Sequence, residues 1–284
     1  MPELPEVEVL ARHLRPLIEG KTIREVDVFR TKSLRGTREK AFKRALTNAK
    51  FTGLNRRGKY LLFGLKESGS GKPFEMLGHL GMTGRMYLQP KSAELPKHAV
   101  LRLVLGRHSF VFEDTRYFGR MTLDTSSIDN LGPEPWSEAF TEDWLANQLK
   151  RSAQAIKVKL LDQALVAGIG NIYACEILHR SSVSPRKQSK RLTRPQIRRV
   201  LENTRSILAA AIDLGSTIRL DFAGAGKSDG LFYYGGSDPE PGTVFERFAV
   251  YDRENEPCPD CGEAIKRIVQ AARSTFYCPK CQWG

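Results

Sequence analysis

Apolar and polar positions along the chain follow two different periods. Val7, Leu10, Leu14, Leu17 and Ile18 recur at three- and four-residue spacing, which predicts a helix over 6–19 stopped at Gly20. From Thr22 to Thr125 the alternation is strand-like, apart from a helix candidate over Thr37–Asn48. Tyr60–Leu65, Phe74–Leu80, Arg85–Gln89, Val100–Leu105, Ser109–Glu113 and Met121–Leu123 are short β-favouring runs separated by glycine and polar turns. Such spacing predicts a sandwich or barrel-like sheet. Leu131-Gly132-Pro133-Glu134-Pro135 reads as a hinge. Beyond it the helical period returns over Thr141–Lys150, Ile156–Leu165 and Asn171–Arg180. Thr193 is placed to cap a long helix whose apolar face is Ile197, Val200, Leu201, Thr204, Ile207, Leu208 and Ala211. The expected fold class is therefore α+β.

Asp221–Gly242 holds six glycines and two prolines and is expected to be a mobile loop. Its Gly226-Lys227-Ser228 does not make a phosphate loop, because Asp221 stands where that motif needs its first glycine.

Charge narrows the functional class. The 284 residues carry 45 lysines and arginines against 32 acids, a net charge of +13, which points to a polyanionic partner. Residues 180–199 hold Arg180, Arg186, Lys187, Lys190, Arg191, Arg194, Arg198 and Arg199 with no acid among them. Residues 30–59 hold a second basic run broken only by Glu39. Either run alone reads as a solvated face; two runs in different domains favour a DNA duplex held between them. No apolar run of about 18 residues is present, so a membrane span is not expected. The start, Met1-Pro2-Glu3-Leu4-Pro5-Glu6, lacks the basic region of a secretory signal.

Cys258-Pro-Asp-Cys261 and Cys278-Pro-Lys-Cys281 form two C-x-x-C knuckles sixteen residues apart. This spacing sets four thiolates around one zinc ion, with Ile265–Tyr277 as the hairpin between. Four protein ligands leave no open position, so the zinc is expected to be structural. Redox pairs are the alternative. The lone Cys175 reads as a small buried hydrophobe.

Pro2, Glu3 and Glu6 read most simply as a helix start, with proline in the first turn and carboxylates at the positive end. A sharper reading exists. Once Met1 is removed, Pro2 presents a secondary amine. An α-amino group titrates near about 7.7–8.0, so a useful fraction is neutral at neutral pH and nucleophilic toward a sugar carbon. Glu3 stands beside it to move a proton.

Met1-Pro-Glu-Leu-Pro-Glu-Val-Glu8 resembles the start of the bacterial formamidopyrimidine-DNA glycosylases (the Fpg/Nei family). The likeness continues through Arg57-Gly-Lys59-Tyr60-Leu-Leu62, His79-Leu-Gly-Met82-Thr-Gly84, Arg116-Tyr-Phe118-Gly119 and Leu131-Gly-Pro-Glu-Pro135. Gly168-Ile-Gly170-Asn171-Ile-Tyr173-Ala174 and the four-cysteine ribbon complete it, so it spans essentially the whole chain.

The resemblance implies a base-excision repair enzyme that acts as glycosylase and abasic-site lyase on oxidised purines, namely 8-oxoguanine and formamidopyrimidines, in duplex DNA. It implies an N-terminal β-sandwich catalytic domain over 1–130, a hinge over 131–135 and a helix–two-turn–helix domain over 136–243. A zinc ribbon follows over 244–284. Pro2 is implied as the nucleophile on C1′, giving a Schiff base followed by elimination at both phosphates, with Glu3 shuttling protons and Glu6 supporting. Lys59, His79, Asn171 and Arg273 match family phosphate contacts, and Lys59 also assists elimination. Met82, Arg116 and Phe118 match the residues that fill the gap left by a flipped nucleotide. From pattern alone, Met82 and Phe118 would be core. Lys157 matches a lysine near the lesion pocket. Zn2+ is the implied cofactor, and the implied state is a cytoplasmic bacterial monomer with no membrane partner. Two alternatives stay open: an endonuclease VIII-like enzyme for oxidised pyrimidines, and a non-catalytic damaged-DNA-binding protein. The chain departs from the familiar pattern at Thr115 and Tyr117, where proline and a second arginine are usual. It departs again in its long glycine-rich segment, a region that in this family helps cap the flipped base.

Overall fold

The computed structural model describes residues 2–216 and 248–283, so the glycine-rich segment 221–242 lies outside the described residues. The chain divides into two compact units at Asn130/Leu131. Among the described residues, no helix is long and apolar enough to cross a membrane.

The first unit opens with helix α1 (Leu4–Ile18), whose Glu3 and Glu6 cap each other reciprocally. Strand β1 (Glu25–Val28) and helix α2 (Glu39–Leu46) follow. Seven more strands complete the unit: β2 (Lys50–Arg57), β3 (Tyr60–Lys66), β4 (Pro73–His79), β5 (Gly84–Pro90), β6 (Ala99–Val104), β7 (His108–Asp114) and β8 (Arg120–Thr122). They form two antiparallel four-stranded sheets ordered β1-β6-β7-β5 and β2-β3-β4-β8. The six expected strands are present within a residue or two. β1 and β2 are not among the expected runs, because β2 buries only Phe51 and Leu54 of its eight residues and carries Gly53 at a register shift. The sheets face each other through a core in which Phe63 of β3 meets Phe110 of β7 edge-on at 5.7 Å between ring centres. Val7, Leu10, Leu14 and Ile18 of α1 enter the same core, which fixes that helix along its length against the sandwich.

The second unit contains α3 (Glu142–Lys150), α4 (Ile156–Leu160), α5 (Asn171–Arg180), α6 (Arg194–Ser216) and the hairpin β9 (Lys266–Gln270)/β10 (Arg273–Tyr277). Thr141 caps α3 by accepting from the Trp144 amide. α4 stops five residues short of the expected Leu165. Asp162 accepts the Ala164 amide, and the Gln163 side chain bonds the Leu161 and Ile169 carbonyls and the Gly168 amide, so polar side chains divert the backbone into a loop. The ribbon is not a separate body. Cys175 of α5, a buried thiol, packs into one cluster with Val250, Cys258, Ile265, Phe276 and Cys278. Glu176 of α5 accepts the amides of Ala249, Val250 and Tyr251 at 2.8–3.0 Å.

Candidate nucleic-acid interface and active site

Pro2, Glu3 and Glu6 gather at the head of α1. Glu3 N–H donates to Glu6 Oε2 at 2.7 Å, and Glu3 is 1% exposed. The helix-start reading is realised in this geometry: the capping box anchors the helix and holds Pro2 at its head.

Lys59 lies in the two-residue turn between β2 and β3, where Gly58 has φ +55°. It acts electrostatically on His79, the last residue of β4. His79 Nδ1 accepts the Gly81 amide at 3.0 Å, so the ring proton of neutral His79 is on Nε2, ready to donate. Burial, then the charges of Arg120, Lys59 and Arg35, hold its pKa down at about 3. The Tyr60 ring packs against it at 4.7 Å, and Arg120 lies over the tyrosine ring. Neither Arg35 nor Arg120 carries a signal in the sequence. Arg35 is one of many cations in the run 30–59, and Arg120 reaches His79 by strand pairing between β4 and β8.

The loop 114–119 is organised by Asp114, which is fully buried. Its Oδ1 accepts from Thr83 Oγ1 and the Arg116 amide, and its Oδ2 accepts from the Gly119 amide at 2.7 Å. Gly81, at φ +64°, lies so close to Gly119 that a Cβ would come within 2.6 Å of the Gly119 nitrogen. The turn carrying Met82 is therefore locked against the loop carrying Arg116 and Phe118. Met82 is 37% and Phe118 is 53% exposed, which contradicts the core packing that pattern alone assigns them. The Arg116 guanidinium lies 4.9 Å from the Phe118 ring centre.

In the second unit, Lys157 is fully buried, and its Nζ donates to Asn171 Oδ1 at 2.5 Å. Asn171 Nδ2 donates to the Ser274 carbonyl of β10 at 2.9 Å. Asn171 is the first residue of α5, where backbone N–H groups can receive an anion. Arg273 is exposed and follows the hairpin tip Ala271-Ala272, both left-handed at φ +47° and +57°. The basic run 180–199 is less free than counting suggests. Arg194 pairs with Asp143 at 2.7 Å and Arg198 with Glu142 at 3.0 Å, both acids being supplied by α3.

The four ribbon sulfurs lie within 4.8 Å of one another, with Cys258–Cys281 at 3.9 Å and Cys261–Cys278 at 3.5 Å. A tetrahedral zinc with bonds of about 2.3 Å spaces its sulfurs by about 3.8 Å, so the donors fit the ion. Burial, with the neighbouring thiols, pushes the Cys281 thiol up, the crowding that a divalent cation relieves. The Cys281 amide points at Cys278 Sγ at 3.4 Å, as a metal knuckle requires. His179 Nε2 lies 3.4 Å from Cys258 Sγ, a neighbour the sequence does not signal.

Three family models cover most of the chain. The formamidopyrimidine-DNA glycosylase N-terminal domain matches residues 1–121, that family's helix–two-turn–helix domain matches 131–222, and a zinc finger found in Fpg and isoleucyl-tRNA synthetases matches 255–282. The chain belongs to the formamidopyrimidine-DNA glycosylase family. The formamidopyrimidine-DNA glycosylases of Thermus thermophilus and Rhizorhabdus wittichii are 40% and 39% identical to it, each over 99% of this chain and 98% and 100% of their own. Lactococcus lactis Fpg in complex with abasic-site DNA superposes with a TM-score of 0.85 at 31% identity, covering 99% of this chain and 100% of that one. With this membership, the four-cysteine cluster is the family's zinc ribbon and holds one structural zinc.

Proposed function

We propose that this protein is a base-excision repair enzyme that removes oxidised purines from duplex DNA and then cleaves the abasic strand, with Pro2 as nucleophile. The observation that carries this reading is Pro2-Glu3 at the buried head of α1, in a chain that matches the glycosylase family from end to end. The relatives are named for formamidopyrimidine excision, and the Lactococcus lactis neighbour is bound to DNA containing an abasic site.

The mechanism follows from the residues. The Pro2 nitrogen, freed of Met1, attacks C1′; the bond from C1′ to the base breaks, and its electron pair leaves with the base. Glu3 handles the proton transfers that open the sugar and form the iminium. Loss of a C2′ proton then expels the 3′ phosphate, and a second elimination expels the 5′ phosphate. Glu6 keeps Glu3 in place through the capping box. Lys59, the Nε2–H of His79, Asn171 and Arg273 bind phosphates, and Lys59 also assists elimination. Lys157 orients Asn171 from beneath. Chemistry at C1′ requires extrusion of the nucleotide. Phe118 wedges into the stack, Met82 fills the vacancy and Arg116 bonds the orphaned base. Zinc, held by Cys258, Cys261, Cys278 and Cys281, stiffens the hairpin that carries Arg273. The proposal assigns catalysis to residues 1–130, a hinge to 131–135, the helical domain to 136–243 and the ribbon to 244–284. It places a monomer in the bacterial cytoplasm, with no membrane partner.

The test is borohydride trapping on duplex carrying 8-oxoguanine. The expected product is a covalent complex mapping to the N-terminal peptide, with Glu3→Gln lowering base excision by about 10²–10⁴. Trapping at an internal lysine would sink the nucleophile assignment. Faster release of an oxidised pyrimidine would favour the endonuclease VIII-like reading, and binding without any cleavage the non-catalytic one.

A further inference from the structure

Tyr117 occupies the tip of the loop between Arg116 and Phe118, at a left-handed φ of +54°. A non-glycine residue costs free energy there and persists only where its surroundings hold it. Two residues from other segments do so. Arg30 Nη2 donates to Tyr117 Oη at 3.1 Å, and its guanidinium lies 4.4 Å from the ring centre. His98 Nδ1 is 3.0 Å from the same hydroxyl, with its ring edge-on to Tyr117 at 5.9 Å. Arginine has only donors, so the hydroxyl accepts from Arg30 and can donate its own proton to His98 Nδ1.

Sheet order explains the meeting. Arg30 follows β1, His98 precedes β6 and Tyr117 follows β7, three neighbouring strands. Val28 pairs with Leu101, and Ala99 pairs with Glu113, so all three residues emerge at one end of the sheet. The His98 carbonyl also accepts the Asp114 amide at 3.0 Å, tying the clamp to the carboxylate that organises the loop. Among the described residues, no carboxylate pairs with Arg30, so the tyrosine is its partner.

The geometry points to Tyr117 as a positioning residue for lesion and opposite-base recognition, locked by Arg30 and His98 so that Arg116 and Phe118 project from a rigid tip. This inference rests on the proposed glycosylase reading, and it answers what replaces the arginine that the family pattern carries at this position. Tyr117 touches no reacting atom; it acts through its two neighbours.

Tyr117→Phe removes the hydroxyl and keeps the ring. Paired with Arg30→Ala, it makes a double-mutant cycle. Each single change is expected to lower excision of 8-oxoguanine opposite cytosine, and to narrow the preference for cytosine over adenine opposite the lesion, by about two- to tenfold, the equivalent of one net hydrogen bond. The double variant should lose less than the sum of the two single losses, because both remove the same Arg30–hydroxyl bond, while cleavage of a pre-formed abasic site stays within about twofold. Additive losses, or an unchanged cytosine-to-adenine ratio, would overturn the clamp. Amide hydrogen exchange over residues 114–119 in the DNA-free protein is a second readout. Tyr117→Phe should speed exchange at Arg116 and Gly119, and unchanged protection would refute the lock even if the wild-type protein excised nothing. Absence of excision by the wild type, with exchange accelerated as expected in the variant, would instead count against the glycosylase reading alone.

Discussion

His79 shows how one residue's neighbours set its chemistry. Its Nδ1 is occupied by the Gly81 amide, and burial and nearby cations hold its pKa at about 3, so it stays neutral with its proton on Nε2 across the physiological range. The unfolded chain protonates histidine near about 6.5. Between about pH 3 and 6.5 the unfolded state therefore binds more protons, and stability falls as pH is lowered through that window. His79→Gln should flatten this part of a curve of denaturation midpoint against pH; an unchanged slope would place the titration elsewhere. Phe118 lies at the same scale. At 53% exposure, its truncation to alanine should move stability by no more than about 0.5 kcal/mol. Excision of 8-oxoguanine from duplex should drop markedly, and cleavage at an abasic site much less, because no base is extruded there. A large fall in Tm with both activities lost together would mean the ring is structural after all.

At the scale of elements, the hairpin β9/β10 closes through Ala271 and Ala272, both left-handed, where glycine or asparagine would fit without strain. Left-handed backbone costs an L-residue about 1–2 kcal/mol, partly offset by the greater unfolded-state freedom of glycine. Ala272→Gly should stabilise the second unit by about 0.5–1 kcal/mol and raise its Tm by about 1–4 °C in calorimetry. A fall in Tm would show that the alanine methyl packs usefully. Helix α5 ties the hairpin and the segment leading into it down along its length. Asn171 bonds Ser274, Cys175 enters the ribbon core, Glu176 gathers three amides and His179 meets Cys258. These four positions share a helix, yet the sequence signals only Asn171, by resemblance, and Cys175, as a buried hydrophobe, because the partners of Glu176 and His179 lie some 70 to 80 residues away.

For the whole molecule, zinc and charge make the testable statements. Cys258→Ser breaks the tetrahedron and should release the metal, with elemental analysis falling from one zinc per chain to none. The cluster of Val250, Ile265 and Phe276 then loses its staple, and duplex affinity should fall. Full affinity in a zinc-free protein would contradict that coupling. A net charge of +13 predicts steep salt dependence, with a slope in log Kd near about 0.9 per neutralised phosphate. Arg273→Ala should lower that slope by about one. Arg194 and Arg198, already paired with α3 acids, should change it little.

Periodicity alone locates α1, α2, α3, α5, α6 and six of the ten strands, because each buries one face against a core and must carry that face in its residues. The zinc ribbon is legible because four ligands at fixed spacing are a local constraint. Beyond the Pro2 amine beside Glu3, the candidate site is legible only through resemblance. Pro2, Met82 and Phe118, taken residue by residue, look like a helix start and core, and only the tertiary structure exposes Met82 and Phe118 at a locked loop. Strand β2, the early stop of α4, the pairing of the 180–199 arginines and the Arg30–Tyr117–His98 clamp are not readable from the sequence at all. The α4 stop turns on side chains bonding their own loop. Strand β2 is hidden by its few buried residues and its break at Gly53; the arginine pairs and the clamp depend on partners distant in the chain, and for the clamp the register of one sheet, not any local run of residues, decides which of them meet.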